Sequence, residues 1–536
     1  MNLEALPLLS DTHKATTMTV PREIEIKLEL PATSLPRLKK IPLLRAQKAP
    51  PRRETQVSVY FDTDKHKLRK KGLMLRVRRV GNRYVQTIKA TGNSALFERA
   101  EWEGEIASEM PDLRLARGTA LEPLLSDKFC RQLRPIFETR VRRTIYPVAD
   151  GKRDIALTLD KGKIATGRRS EPLCEIELEL KRGNGTELFD LARELTSALP
   201  AQLAIKSKSE RGYELLADEE VAATKGAPIH LSAGSSTREG FKAIGRACLK
   251  QIIGNEPALL AADPEGVHQM RVGLRRLRAG MSLFADILQD PQTAALKDEL
   301  RWLAGELGPA RELDVLVTRV VAPVKRRHPQ LAGVSSLSRE LAAQREAALA
   351  RAQNAVRSAR FRALTLEIAA WLEAGQWTRP QDDLIRDRGE VAIEISAAEQ
   401  LTRRFRKIRK RGKALARLDA GRRHRLRIQA KKVRYAAEFF ADLFPGKKAA
   451  RRRKRFLSAL ETVQDDLGDL NDIAVHEDRI TAIANEGGRS RRRRSSPKRA
   501  FAAGLLSGRE DARLDAVLAN AVDACAALAR VKPFWR

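Results

Sequence analysis

From Arg22 to about residue 215, polar and apolar residues alternate at every second position. The clearest runs are REIEIKLEL (22–30), VSVYFDT (57–63), LMLRVRRV (73–80), YVQTIKA (84–90), RAEWEGEI (99–106), RRTIYPV (142–148), IALTLDKGKI (155–164) and CEIELELK (174–181). A period of two is the signature of β-strands, and turn pairs such as Gly81-Asn82 separate several of the runs. About eight closely spaced strands predict a closed antiparallel barrel. The run 186–199 reads instead as an amphipathic helix outside it.

The stretch 218–236 is polar and small-residue-rich, a linker, and beyond it the period becomes 3.6. Helices are predicted near 238–253, 264–289, 293–307, 311–326, 337–373, 389–416, 421–443, 449–467, 472–486 and 508–530, with a basic Ser-rich loop at 489–499 expected to be disordered. The fold class is therefore multidomain α+β: a leader at 1–20, a strand domain at 21–217 and a helical domain at 237–530. Met18 competes with Met1 as the start.

The helical part repeats itself. VHQMRVGLRRLRAGMSLF (267–284) aligns without gaps on RHRLRIQAKKVRYAAEFF (423–440), and LGPARELDV (307–315) on LGDLNDIAV (467–475). Near-constant spacing marks a duplicated unit, spanning about 264–330 and 420–486, whose copies should pack as related bundles.

Composition adds a partner class. The 536 residues carry 102 Lys+Arg against 68 Asp+Glu, a net +34. Residues 1–225 hold 42 basic and 32 acidic side chains (+10) and residues 226–536 hold 60 and 36 (+24), so a polyanion is sought first in the helical half. The scattered Cys130, Cys174, Cys248 and Cys525 show no metal or redox spacing. They read as free thiols of a reducing cytoplasm. No apolar run approaches a membrane span.

The strands carry ions on one face. Glu23, Glu25, Lys27 and Glu29 share a side of the first, and Arg76 with Arg78, Glu101 with Glu103 and Glu105, and Glu175 with Glu177 and Glu179 repeat the pattern. That face could meet bulk water over an apolar core, or it could line a wet tunnel beneath a helical cover. Carboxylates at i, i+2 on separate strands are ligands for Mg²⁺ or Mn²⁺. Neighbouring Arg and Lys would neutralise phosphate oxygens, and phosphoryl transfer needs little more.

These residues resemble the CYTH, or triphosphate tunnel metalloenzyme, superfamily. Glu23, Glu25 and Lys27 match its E-x-E-x-K start, Arg76 and Arg78 its R-x-R strand, and Lys89 its T-x-K strand. Glu101 and Glu103 match an E-x-E, Arg143 and Asp160 two single positions, Glu175 and Glu177 the late E-x-E, and Lys206 or Lys208 the closing basic motif. The resemblance implies an eight-stranded tunnel hydrolysing triphosphates with two divalent ions. By it, Glu23, Glu25, Glu101, Glu103, Asp160, Glu175 and Glu177 would hold metal. Lys27, Arg76, Arg78, Lys89, Arg143 and Lys206 or Lys208 would grip phosphates. Glu23, Glu25, Lys27, Glu175 and Glu177 would form the catalytic set.

In the repeat, His268, Arg271, Arg275 and Arg278 fall at i, i+3, i+7, i+10, one helix face, and His424, Arg427, Lys431 and Arg434 reproduce the spacing. Opposite runs an apolar stripe, Met270, Leu274, Leu277, Met281 and Phe284, with Leu426, Ala430, Val433, Ala437 and Phe440 as its counterpart. A basic ridge without interleaved aromatics suits a polymer of phosphates better than nucleic acid. Its imidazoles would add charge below about pH 6.5. The repeat resembles the CHAD domain, which implies two four-helix bundles binding inorganic polyphosphate. The resulting expectation is a cytoplasmic inorganic triphosphatase, tripolyphosphate to pyrophosphate and phosphate, carrying a polyphosphate-binding domain. Alternatives are a nucleoside or thiamine triphosphate hydrolase, an adenylate cyclase, or a non-catalytic polyphosphate binder.

Overall fold

The computed structural model describes residues 22–46, 50–90, 98–149, 154–218, 221–486 and 497–536. The expected leader and most of the basic loop at 489–499 lie outside these residues.

The first half is a barrel of β1 (Arg22–Glu29), β2 (Arg52–Asp62), β3 (Leu73–Val80), β4 (Arg83–Ala90), β5 (Glu98–Ile106), β6 (Arg134–Ala149), β7 (Asp154–Thr166) and β8 (Arg169–Arg182). All pairings are antiparallel in the order β5-β4-β3-β2-β6-β7-β8-β1. Pairing of Arg22–Ile24 with Glu98–Ala100 brings β1 back onto β5. Beyond the eight predicted strands there is a ninth, β9 (Gln202–Leu203), paired with Leu28 and Glu29.

Burial settles which strand face is inside. Ile26, Leu28, Ile155, Leu157, Ile176 and Leu178 are buried in one cluster with Leu188, Leu191 and Leu195 of α1 (Gly185–Ala198). Helices therefore cover the apolar face, and the alternating charged face must point inward. Helix α2 (Lys208–Ala217) then packs against β6, β7 and β8, with Lys208, Arg211 and Tyr213 buried.

The second half contains α3 (Thr237–Gly254), α4 (Pro264–Leu283), α5 (Pro291–Val315), α6 (Ala332–Arg357), α7 (Ala359–Ala374), α8 (Ile393–Gly412), α9 (Ala420–Phe439), α10 (Lys447–Glu486) and α11 (Pro497–Arg530). Several predicted boundaries are corrected. The helices expected at 293–307 and 311–326 are not separated at 308–310, since α5 runs unbroken from Pro291 to Val315. The run 337–373 is two helices, because Ser358 adopts an extended backbone and its Oγ accepts from Phe361 N–H as an N-cap. The runs 449–467 and 472–486 are one helix of 40 residues, continuous through Gly468. Helix α11 also begins eleven residues before the predicted 508, at Pro497. Both repeat helices, α4 and α9, bury the predicted apolar stripes completely or nearly so. No helix among the described residues is long and apolar enough to cross a membrane.

Candidate functional site

The inward faces of the barrel surround a cavity of about 1170 Å³. On one side, β7 and β8 bring Asp160, Glu175 and Glu177 together, with one oxygen of each within 4.8 Å of the others. Asp160 and Glu175 are 0% and 1% exposed. Three cations hold them. Arg143 on β6 donates to both Asp160 oxygens (2.8 and 2.7 Å) and to Glu177 Oε2 (2.8 Å). Lys27 Nζ lies 2.8 Å from Glu177 and 2.8 Å from Glu25. Lys208 Nζ stands 2.8 Å from Asp160 and 2.9 Å from Glu177, and also contacts Glu175.

Burial pushes every carboxyl pKa here upward, but the neighbours decide the outcome. At Asp160, Lys208 and Arg143 outweigh burial and hold the carboxyl below its usual range. At Glu177, Lys208, Lys27 and Arg143 do so more strongly. Glu175 has Lys208 as its nearest cation, and there burial wins and its pKa is raised. The Lys208 ammonium is itself desolvated, yet the three carboxylates raise its pKa well above the ordinary value.

The other wall is cationic. Arg76 and Arg78 from β3 and Lys89 from β4 face Glu101 and Glu103 from β5. Lys89 is 2.5 Å from Glu101, Arg78 3.2 Å from Glu103, and Arg76 3.7–3.8 Å from both. Arg76, then burial, pushes Arg78 down to about 10, the mark of crowded positive charge. Of the seven carboxylates proposed as metal ligands, three converge. Glu101 and Glu103 lie among the cations of the opposite wall, and Glu25 pairs with Lys27. The side chain of Glu23 lies outside the described part.

Lys206 and Lys208 both line the cavity but differ in their partners. Lys208 points into the carboxylates, whereas Lys206 pairs with Glu214 at 2.8 Å and is 39% exposed. Arg142, beside Arg143, is exposed by strand alternation. Several lining residues escaped the sequence reading because they are neutral: Gln56, Ser58, Thr139 and Thr158 occupy the inward positions of β2, β6 and β7. Extending the period-two count past the charged residues finds them. The lining also includes aromatic side chains, since Tyr60, Trp102 and Tyr213 reach it. The rings of Tyr60 and Tyr213 already pack on Phe137.

In the helical half, α4 and α9 pack against each other and their two ridges merge into one cluster. Arg275 donates to Tyr435 Oη across the contact at 3.4 Å. Burial first, then Arg427 and Arg275, depresses Lys431 to about 7. Burial and Arg275 lower Arg271, and burial lowers Arg427. The duplication is visible in the counterions: Arg271 lies 4.0 Å from Glu312, and its repeat mate Arg427 lies 3.6 Å from the matching Asp472. The ridge ends differ. Arg434 is neutralised by Glu438 (2.9 Å) and Glu461 (3.4 Å), and Arg278 is exposed. Burial, then Arg311, lowers His268 to about 4, so it does not gain charge near pH 6.5 as expected. His424 hydrogen-bonds Asn471 through Nδ1.

Comparison with known proteins follows the same division. A curated inorganic triphosphatase of Haemophilus influenzae is 35% identical over 162 residues, 30% of this chain; the match spans 45% of that protein's length. The CHAD domain of the plant Ricinus communis is 30% identical, covering 56% of this chain and 96% of that one, with a TM-score of 0.46. PptA from Streptomyces chartreusis is 19% identical, covering 54% and 99%, with a TM-score of 0.39. The family model of the CYTH domain matches residues 21–213 and that of the CHAD domain residues 243–481. The chain is thus a CYTH domain followed by a CHAD domain.

Proposed function

We propose that the barrel is an inorganic triphosphatase, splitting tripolyphosphate into pyrophosphate and phosphate, and that the merged ridge of the helical half binds inorganic polyphosphate. The observation that carries the first reading is one cavity with a three-carboxylate group on one wall and Arg76, Arg78 and Lys89 on the other. Buried carboxylate oxygens from Asp160, Glu175 and Glu177 fit a hard divalent cation such as Mg²⁺ or Mn²⁺. Such an ion neutralises phosphate charge and polarises water. Around it the chain's own groups divide the labour. Arg76, Arg78 and Lys89 would bind and align phosphate oxygens. Lys27 and Arg143, already paired with carboxylates, would hold those carboxylates ionised while reaching the bridging phosphate.

The ridge reading rests on a basic cluster with too few acids. Burial, and after it repulsion from Arg427, Arg275 and Arg271, depresses Lys431, and a polyanion would relieve that repulsion. Phosphate release from tripolyphosphate, ATP and thiamine triphosphate, measured in parallel with and without Mg²⁺, tests the activity. A Mg²⁺-dependent preference for tripolyphosphate is expected. The partly buried Trp102 in the lining favours one rival, a nucleoside triphosphate. Equal or faster turnover of ATP would establish that rival instead.

A further inference from the structure

The cavity of the barrel does not stop at the barrel. Its wall includes Thr224 from the connecting segment and Lys250 and Gly254 from α3 of the helical half. These residues are held in place. Asn255, next after α3, accepts from Thr224 N–H (2.9 Å) and donates back to the Thr224 carbonyl (2.9 Å), and Gln251 donates to Gln269 (3.0 Å). Lys250 therefore projects from a fixed backbone.

Its ammonium is loosely engaged. The side chain is 53% exposed and 3.6 Å from Glu210 Oε1, while the other Glu210 oxygen already accepts from the Ser207 N–H (2.8 Å) and Oγ (2.9 Å). Inside the barrel the corresponding contacts are mostly 2.8–2.9 Å. A half-exposed, long ion pair contributes little, so the ammonium can turn to a phosphate oxygen at small cost. Of the cavity's cations among the described residues, Lys250 is the one contributed by the helical half.

We infer that Lys250 is a substrate-binding residue of the barrel cavity, taking an outer phosphate of a linear phosphate chain, so that the helical half builds part of the wall that receives substrate. This rests on reading the cavity as a phosphate-chain site. It goes further by giving α3 a direct contact in place of mere attachment.

The test uses the full chain and tripolyphosphate as the probe, with Kd read by calorimetry in chelator and kinetics read in Mg²⁺. Lys250→Gln should raise both Kd and KM about fivefold, the scale of one partly screened ammonium–phosphate contact, and leave kcat within about twofold. Lys250→Arg should stay near wild type. Lys242→Gln, on the same helix beside Glu239, should change neither constant. Raising NaCl from about 50 to about 500 mM should narrow the Lys250→Gln gap. Unchanged Kd and KM in Lys250→Gln would overturn the inference. So would a fall in kcat at constant KM, which would assign the effect to Glu210 and the start of α2. If wild type binds tripolyphosphate without hydrolysing it, the activity fails alone and the Kd arm still decides Lys250. If wild type does not bind it, both readings fail.

Discussion

Lys208→Met should destabilise the protein in a way that Mg²⁺ repairs. Lys208 is the first residue of α2, and its ammonium touches Asp160, Glu175 and Glu177 at once. Methionine keeps an unbranched chain of similar length, so packing changes little and the charge alone is lost. Arg143 still serves Asp160 and Glu177, and Lys27 still serves Glu177. Glu175, 1% exposed, loses its ion pair. Removing one partner of a buried pair costs about 3–5 kcal/mol. Because the two halves share one apolar cluster, the 536-residue chain melts as a whole, and at about 2 cal/mol/K per residue each kcal/mol moves Tm by about 1 °C. The melting transition in EDTA should therefore fall by about 3–5 °C.

The pH dependence follows from the same residue. Without Lys208 the folded-state pKa of Glu175 rises further above its unfolded value, so its unfavourable contribution grows as pH rises above that unfolded value. The gap between variant and wild type should therefore widen as pH rises above the ordinary glutamate value. A divalent ion at about 100 Kd returns about 2.7 kcal/mol. Wild type should gain less, because Lys208 occupies the same oxygens. Differential scanning fluorimetry in EDTA and in Mg²⁺ measures all of this. Coincident melts in EDTA at higher pH would refute the view that Lys208 balances the buried carboxylates, and equal Mg²⁺ gains would refute competition for them.

Other outcomes are expected elsewhere. Glu177→Gln removes an acceptor shared by Lys27, Arg143 and Lys208 and should lower Mg²⁺-dependent turnover about a hundredfold, checked by steady-state phosphate release. Arg427→Ala should weaken polyphosphate binding more than Arg434→Ala, because Arg434 is already paired with Glu438 and Glu461; filter binding compares them. Lys431, depressed to about 7, is mostly neutral at about pH 8, so bound polyphosphate should draw in a proton there. Calorimetry in two buffers of different ionisation enthalpy reads that uptake, and Lys431→Met should remove it.

Much of this was legible in the order of residues. Period-two alternation located all eight main strands, and strict alternation placed Arg143 inward and Arg142 outward once the inner face was known. Which face was inner could not be read from the strands alone, since REIEIKLEL suits a solvated surface equally well. The decision lies in α1, whose Leu188, Leu191 and Leu195 cover the apolar row. Partner choice was also invisible. Glu101 and Glu175 are both members of E-x-E pairs, yet one faces Lys89 and the other Lys208, because register and barrel closure set who meets whom. The helices expected at 449–467 and 472–486 are one, because tertiary packing along α10 overrides the low propensity of the intervening Gly468. The depressed His268 likewise depends on burial first and then on Arg311, which belongs to a different helix.

The joint between the halves has a practical meaning. Helix α7 lies on α1 and β9, Arg193 clasps Glu367 through two bonds of 2.6 and 2.9 Å, and a single apolar cluster runs from Ile26 to Trp535. Asn255 and Thr224 fasten the intervening segment at its middle. A protease or a genetic truncation that severed the chain here would not release two finished modules. It would strip the cover from one side of the barrel and bare the matching face of α7, and both fragments would be expected to stick to themselves.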